Sequence, residues 1–483
     1  MSYRLFKKNI GKFIFPLSVF LFTPILGHSQ SYNDNGFTVI KPSKDSKLIY
    51  VSSSSGNDKN TCLTEAAPCK TITAGVKKMR NGYPDHLYLK RGDTWRGERF
   101  INLVSGRSAK EPAVITYYGK SGARPKLENT SNSLHIHKGA TKNLSIIGLE
   151  FYAYKLDPDH REFNGKDHAN LVMLGGNTNI LYEDNKFNFV ELVVQKWDSG
   201  SPTNITLRRN IWTGVYYNES SYNQTDRPSN LYAESVNGLT IEENVFDYGG
   251  WNPRVAGAGG NMYNHNLYIQ TTTVGNKLVV RNNIITRASS HGVHGRPGGL
   301  FENNFFARNA VSLQMGYNGT PLASGTKAQA INNVITEGNS MVKGHDSCAT
   351  IKICSQALWG LIINEPGKGE FLLRNNIVHS LSPVDTQWSK RYSKLQRTSI
   401  SSLSGSQFKY ENNIAWKWAS DTEGTNTKYP AAGRTLADYN KSLTGKKDFD
   451  AFMNTVKSRQ VGTWDTRYTA AAINNYIRAG FGK

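Results

Sequence analysis

The feature that most constrains this chain is a short motif that recurs eight times: a strand-like run, an asparagine, and a resumption in apolar residues. It reads LYEDNKF at 181–187, TLRRNIW at 206–212, TIEENVF at 240–246 and VVRNNII at 279–285. It continues as LFENNFF at 300–306, AINNVI at 330–335, LLRNNIV at 372–378 and KYENNIA at 409–415. A degenerate copy, SIIGLEF at 145–151, lacks the asparagine. The asparagines are Asn185, Asn210, Asn244, Asn283, Asn304, Asn333, Asn376 and Asn413, with gaps of 25, 34, 39, 21, 29, 43 and 37 residues. The short gaps match one turn of a parallel β-helix, and the long ones imply loops inserted into a turn. One coil cannot bury its apolar side alone, so coils stack in register. An inward asparagine at the same corner of each coil then satisfies the backbone of the bend and the amides of its neighbours. A leucine-rich solenoid is excluded by the lack of leucine periodicity, and a propeller by the uneven spacing. The expected fold is an all-β solenoid.

The flanks read differently. Arg4, Lys7, Lys8 and Lys12 precede an apolar run from Phe13 to Leu26 and then small residues Gly27 to Ser29. That is the order of a secretory signal peptide, and 14 residues are short for a bilayer that needs about 20. No later segment is long and apolar enough to span. The expected organisation is a signal peptide at 1–29, a linker at 30–46, a β-helix catalytic domain at 47–420 and a C-terminal capping segment at 421–483. The product is expected to be secreted or periplasmic, and a monomer. PCKTITAGVKKM at 68–79 suggests a short N-terminal capping helix, and LYLKRGDTWRGE at 87–98 a first coil turning at Gly92-Asp93. Phe449, Phe452, Met453 and Val456 share one helical face in the tail, which is expected to cover the last coil. The cysteines pair by proximity, Cys62 with Cys69 and Cys348 with Cys354, as two loop-stapling disulfides suited to an oxidising compartment. Neither pair has zinc-type spacing. The formal charge is +21, of which four cations fall in the leader, leaving +17. For an exported chain this favours an acidic polysaccharide partner over nucleic acid.

Equivalent residues of adjacent coils lie about 4.8 Å apart, so a site is found by aligning coils. SNLYAES at 229–235 aligns with HNLYIQT at 265–271, and HGVHGRP at 291–297 follows. This stacks Tyr232, Tyr268 and His294 in one column, and Glu234, Gln270 and Arg296 in the next. NAVSLQMGY at 309–317 is expected to add Ser312 and Gln314 to the same two columns. The candidate catalytic residues are His265, Tyr268, His291, Arg296 and Tyr232. Lys196, Asn266, His294, Gln270 and Gln314 are candidate substrate-binding residues, with Trp251 on an aromatic insertion at 247–263 that suits a groove wall. The glycines of SSHGVHGRPGG at 289–299 are expected to keep the surface low for a polymer. Three histidines could hold a transition metal. No matching carboxylate accompanies them, and strict alternation puts His291 and His294 on opposite faces, so no metal is expected. Calcium is not indicated without a carboxylate cluster.

A base, an acid and a cation together suit β-elimination of a uronic-acid polymer. The carboxylate is neutralised, the C5 proton is removed and the leaving oxygen is protonated. Histidine or tyrosine serves as base, tyrosine as acid, and Arg296, Lys196 or Asn266 as neutraliser. Which of His265, His291 and Tyr268 is base stays open.

The NN coils, the N-terminal segment and the NHNLYIQ … SSHGVHGRPGG core resemble secreted right-handed parallel β-helix carbohydrate-active proteins, over roughly residues 47 to 418. They are most similar to β-helical polysaccharide lyases, including those acting on alginate. The resemblance implies a right-handed helix and a polysaccharide lyase. Several such families use calcium with a lysine or arginine base, which the absence of an acidic cluster here disfavours. Polygalacturonase-type hydrolases carry Gly-His-Gly where this chain has Ser290-His291-Gly292, and they need paired aspartates. Mannuronan C5-epimerases carry Asp-Pro-His-Asp, whereas Asp157 to His160 reads DPDH. An epimerase-like enzyme and a non-catalytic polysaccharide-binding solenoid are the alternatives.

Overall fold

The computed structural model describes residues 31–483, except 34, 130–133, 137–139, 167–169, 218–226, 261–262, 318, 339–358, 365–366, 381–405 and 418–428. Three long sheets of twelve, eleven and eight strands run through the described residues, and every pairing within them is parallel. The coils in the middle of the stack give one strand to each sheet. Leu278–Arg281, Ile284–Thr286 and His291–Gly295 form one coil, and Gly299–Glu302, Phe305–Ala307 and Val311–Met315 lie against them in the next. This is a parallel β-helix.

The asparagines form the expected ladder. Asn283 Nδ2 donates to Asn304 Oδ1 at 2.9 Å and to the Ile241 carbonyl at 2.9 Å, while its Oδ1 accepts from the Asn244 backbone N–H at 2.9 Å. The same three-way pattern runs from Asn185 through Asn210 and on to Asn413. The residue before each rung is left-handed, with φ between 50° and 58°, as at Asn282, Asn303, Asn332, Asn375 and Asn412. Asparagine tolerates that region better than most side chains, which accounts for the NN pairs. Inside, Phe151, Phe187, Trp212 and Phe246 stack coil on coil at 5.1, 4.5 and 4.8 Å.

At the N-terminal end, helix α1 (Ile72–Val76) buries Ile72 and Val76, and the site of a missing Gly75 Cβ lies against Val51 and Leu87. Cys62 and Cys69 are disulfide-bonded beside it. Closing so short a loop restricts the unfolded chain, so Cys62→Ser with Cys69→Ser is expected to cost about 2 kcal/mol, read from the denaturant midpoint. Cys348 and Cys354 lie outside the described residues, as does the leader at 1–29. No helix among the described residues is long and apolar enough to cross a membrane.

The tail is helical, as α2 (Leu436–Thr444), α3 (Phe449–Ser458) and α4 (Ala470–Gly480), and α3 buries Phe449, Phe452, Met453 and Val456. It reaches further than the expected cover on the last coil. The helices lie along the outer face of the eleven-stranded sheet, where they cover Ile211, Val245, Ile284, Phe305, Val334, Ile377 and Ile414. An apolar helix face shows that a partner surface exists but not which one. The tail then reaches the N-terminal segment, where Arg209 sits between Phe37 and Trp464 and Thr38 N–H donates to Glu183. That segment, read as a linker, thus docks on the solenoid and pairs Ser31–Tyr32 with Thr38–Val39.

A buried ion pair fastens α3 to the coils. Burial alone would raise the Asp247 carboxyl, but Arg287 and Lys457 hold it down to about 2. A depressed carboxylate stabilises the fold above its unfolded value of 3.8 and loses that contribution as pH falls through about 2. Asp247→Asn is therefore expected to flatten the acid limb of the thermal midpoint between about pH 4 and 2, a loss of roughly 2 kcal/mol in the native protein.

Candidate functional site

The eight-stranded sheet carries the histidines. Leu231, Leu267, Val293 and Leu313 pair in register and point into the core, while Tyr232, Tyr268, His294 and Gln314 form the adjacent outward column. Gln314 therefore stands beside His294, two residues from the column expected for it, and Ser312 is turned inward with its Oγ unbonded.

His291 joins the same face as His294, contrary to strict alternation. The missing Cβ of Gly292 lies 2.7 Å from the Ser312 carbonyl and 3.1 Å from both Ile285 and Phe306, so positions 292 and 293 both face the core. Two consecutive inward residues let 291 and 294 both emerge outward. A Cβ on Gly295 would fall 2.3 Å from Phe301. These two glycines serve interior packing rather than the access of a polymer from outside.

The result is a closed cluster. His265, His291 and His294 expose 3, 7 and 5 % of their surfaces, and Tyr268 3 %. The His265 ring lies 4.7 Å from His291, 5.3 Å from His294 and 4.9 Å from Tyr268. His294 stacks on Tyr268 at 5.5 Å. Arg296 lies over Tyr268 at 4.5 Å and Tyr317 at 3.6 Å, and donates to Gln270 Oε1 at 2.8 Å. Gln270 Nε2 donates to the Tyr268 hydroxyl at 3.3 Å, and the Tyr232 hydroxyl to Glu234 at 2.9 Å.

Burial depresses all three imidazoles, His291 to about 4 and the other two well below the usual range, with the Arg296 charge adding to the effect. All are neutral at neutral pH. Burial also lowers the Arg296 guanidinium from its ordinary value, though not enough to discharge it. Among the described residues no carboxylate pairs with it, and its Nε is buried without a hydrogen bond.

The three histidines are the one group of His, Cys, Asp and Glu among the described residues close enough to share a cation, with nitrogens within 4.8 Å. Imidazole lone pairs lie in the ring plane. The His291 and His294 rings are stacked 12° from parallel at 4.5 Å, so their lone pairs run side by side instead of converging. Gln314 also occupies Nε2 of both. Gln314 thus links the two rings by hydrogen bonds, and three imidazoles do not supply the six to eight oxygens that calcium takes.

The other candidates separate from this cluster. Asn266 is fully buried and bonds to Asn230 and the Thr286 carbonyl as a second inner ladder. Lys196 is exposed beyond the end of its strand. Trp251 donates its indole N–H to the Arg287 carbonyl, on the turn leading to His291. Sequence reasoning missed Tyr317, which is next to the Gly316 turn, and Arg227, whose charge acts on both His265 and Arg296. Both flank strands already aligned, so extending the columns by one or two residues would have reached them.

No family model matches the chain, and no curated protein matches its sequence. Among solved structures it is similar to a rhamnogalacturonan lyase at 14% identity, over 68% of this chain and 87% of that one, with a TM-score of 0.37. A GH136 lacto-N-biosidase from Eubacterium ramulus matches in two forms. Its selenomethionine derivative is 11% identical over 76% of this chain and 67% of its own, with a TM-score of 0.31. The native form is 15% identical over 76% and 68%, with a TM-score of 0.26. Likenesses of this size transfer neither a substrate nor a residue role.

Proposed function

We propose that the protein is an exported polysaccharide lyase that cleaves a uronic-acid polymer by β-elimination at the cluster around His265, Tyr268 and Arg296. The observation that carries this is Arg296: a buried guanidinium between two aromatic rings, with no carboxylate partner among the described residues. A buried charge without a counter-ion is costly, and a substrate carboxylate would supply one. The basic charge of the chain suits the same partner.

In this reading Arg296 neutralises the uronate carboxylate and so acidifies C5–H. His265 and Tyr268 divide the base and acid roles. The base takes the C5 proton, the C4–O4 bond breaks as the C4=C5 double bond forms, and the leaving oxygen takes a proton. Lowered by burial, the imidazoles are neutral and so keep a lone pair with which to take a proton.

Hydrolysis fits less well. Glu191 and Glu234 are the carboxylates on the neighbouring strands, and Gln195 pairs with Glu234, which leaves Glu191 four residues behind. That is roughly 13 Å along a strand, against about 5–9.5 Å between the carboxyls of glycosidases. Glu191 accepts from Ser229 N–H and the Tyr217 hydroxyl, and burial pushes it up to about 8. The DPDH segment is spent on loop structure, with Asp157 accepting from Tyr152 and Asp159 paired with Arg254.

The test is incubation of the mature protein with alginate first, then pectate and glucuronan, following the ultraviolet absorbance of an unsaturated uronate. Rising absorbance with shortening chains is expected for at least one polymer. A change in sugar composition without absorbance would make it an epimerase, and binding without either would make it a non-catalytic solenoid.

A further inference from the structure

The Gln314 side chain lies between two histidines and touches both. Its Oε1 meets His291 Nε2 at 2.9 Å, and its Nε2 meets His294 Nε2 at 3.0 Å. The same Nε2 donates to the Gly316 carbonyl at 3.3 Å, which fixes the two ends of the amide, because only the nitrogen can donate to a carbonyl.

The two ends impose opposite demands. An amide carbonyl only accepts, so His291 must carry its proton on Nε2, and its Nδ1 is left to accept from the Ser290 hydroxyl at 2.9 Å. An amide nitrogen only donates, so His294 must leave Nε2 bare and carry its proton on Nδ1. That Nδ1 is buried and has no hydrogen-bond partner. A buried donor left without an acceptor is costly, and an arriving acceptor would recover that cost.

We infer that Gln314 is a positioning residue that sets the tautomer of His294, so that His294 Nδ1–H meets the substrate carboxylate as a neutral hydrogen-bond donor beside Arg296. The chemical purpose rests on the elimination reading; the tautomers do not. As the C5 proton leaves, negative charge spreads onto the carboxylate oxygens, and a fixed donor aimed there stabilises the intermediate more than the ground state. A neutral imidazole holds such an oxyanion without giving up a proton to it. Burial and the neighbouring charges keep His294 neutral. Stacking on Tyr268 at 5.5 Å, with Tyr317 at 5.9 Å, holds the ring in place.

The experiment is a nitrogen–proton correlation spectrum of histidine-labelled full-length mature protein without substrate, assigned by the signals lost in His294→Gln and His291→Gln. The expected result is the Nδ1–H tautomer at His294 and the Nε2–H tautomer at His291. Gln314→Glu replaces the donating end with an acceptor, so His294 is expected to switch to Nε2–H, with kcat on the cleaved polyuronate falling about 10²-fold and KM changing less. An Nε2–H tautomer at His294 in the unaltered protein overturns the inference, as does a Gln314→Glu spectrum with His294 unchanged. The unaltered protein tests it even if that variant fails to fold. Correct tautomers in a protein that never raises ultraviolet absorbance would leave this inference standing and sink the elimination reading.

Discussion

Arg296→Gln is expected to lower turnover on a polyuronate about 10²–10³-fold while leaving the protein as stable as before, or more so. The glutamine amide can still bond to Gln270 and lie between Tyr268 and Tyr317, so the packing of the cluster survives. What it loses is the charge that, in the proposed elimination, makes C5–H acidic. Because Arg296 is buried without a carboxylate partner among the described residues, removing its charge relieves a desolvation cost instead of breaking a pair. Steady-state kinetics and the thermal midpoint, measured together, check this. Loss of activity with a preserved or raised midpoint marks a group held for substrate. A parallel fall in both would mark Arg296 as structural.

The second large effect falls on the asparagine ladder. Asn283→Ala is expected to destabilise the protein by roughly 4 kcal/mol or more. The asparagine receives the Asn244 backbone N–H and amide and donates to the Ile241 carbonyl and Asn304 Oδ1, all in the dry corner of the solenoid. Alanine leaves several of these groups buried without partners, and each such group costs about 1–3 kcal/mol. The contrast is Asn332→Ala. Asn332 is left-handed at φ 57° and half-buried, and its loss is expected to cost only about 1 kcal/mol, the price of holding alanine in that region. Chemical denaturation of the two variants gives the comparison, and equal losses would show that the ladder is not what holds the coils in register.

The fold was legible because one physical demand repeats: every coil needs its corner satisfied, and asparagine at 185, 210, 244 and onward meets it visibly. The column of Tyr232, Tyr268 and His294 was legible for the same reason, since parallel register carries alternation from strand to strand. The face of His291 was not, because Gly292 breaks the alternation and a glycine in sequence does not say which atoms will fill its space. Asn266 looked like a polar surface residue, yet its bonds to Asn230 and Thr286 place it in an interior ladder. The position of the tail was half-legible. The residue after each ladder asparagine is apolar in seven successive coils, from Ile211 to Ile414, and that outward row requires a cover. The amphipathic tail is that cover, a match visible only when the row and the helices are considered together.

The central claim is that the glycosidic bond breaks by elimination, and oxygen labelling tests it most directly. The polymer is cleaved briefly in water enriched in heavy oxygen, the new reducing ends are trapped at once by reduction, and the products are weighed. Elimination breaks the C4–O4 bond, so the new reducing end keeps the oxygen of the polymer and its partner fragment is unsaturated. The account predicts chain ends without heavy oxygen. Heavy oxygen at the new reducing ends would mean that water attacked C1, and would contradict it.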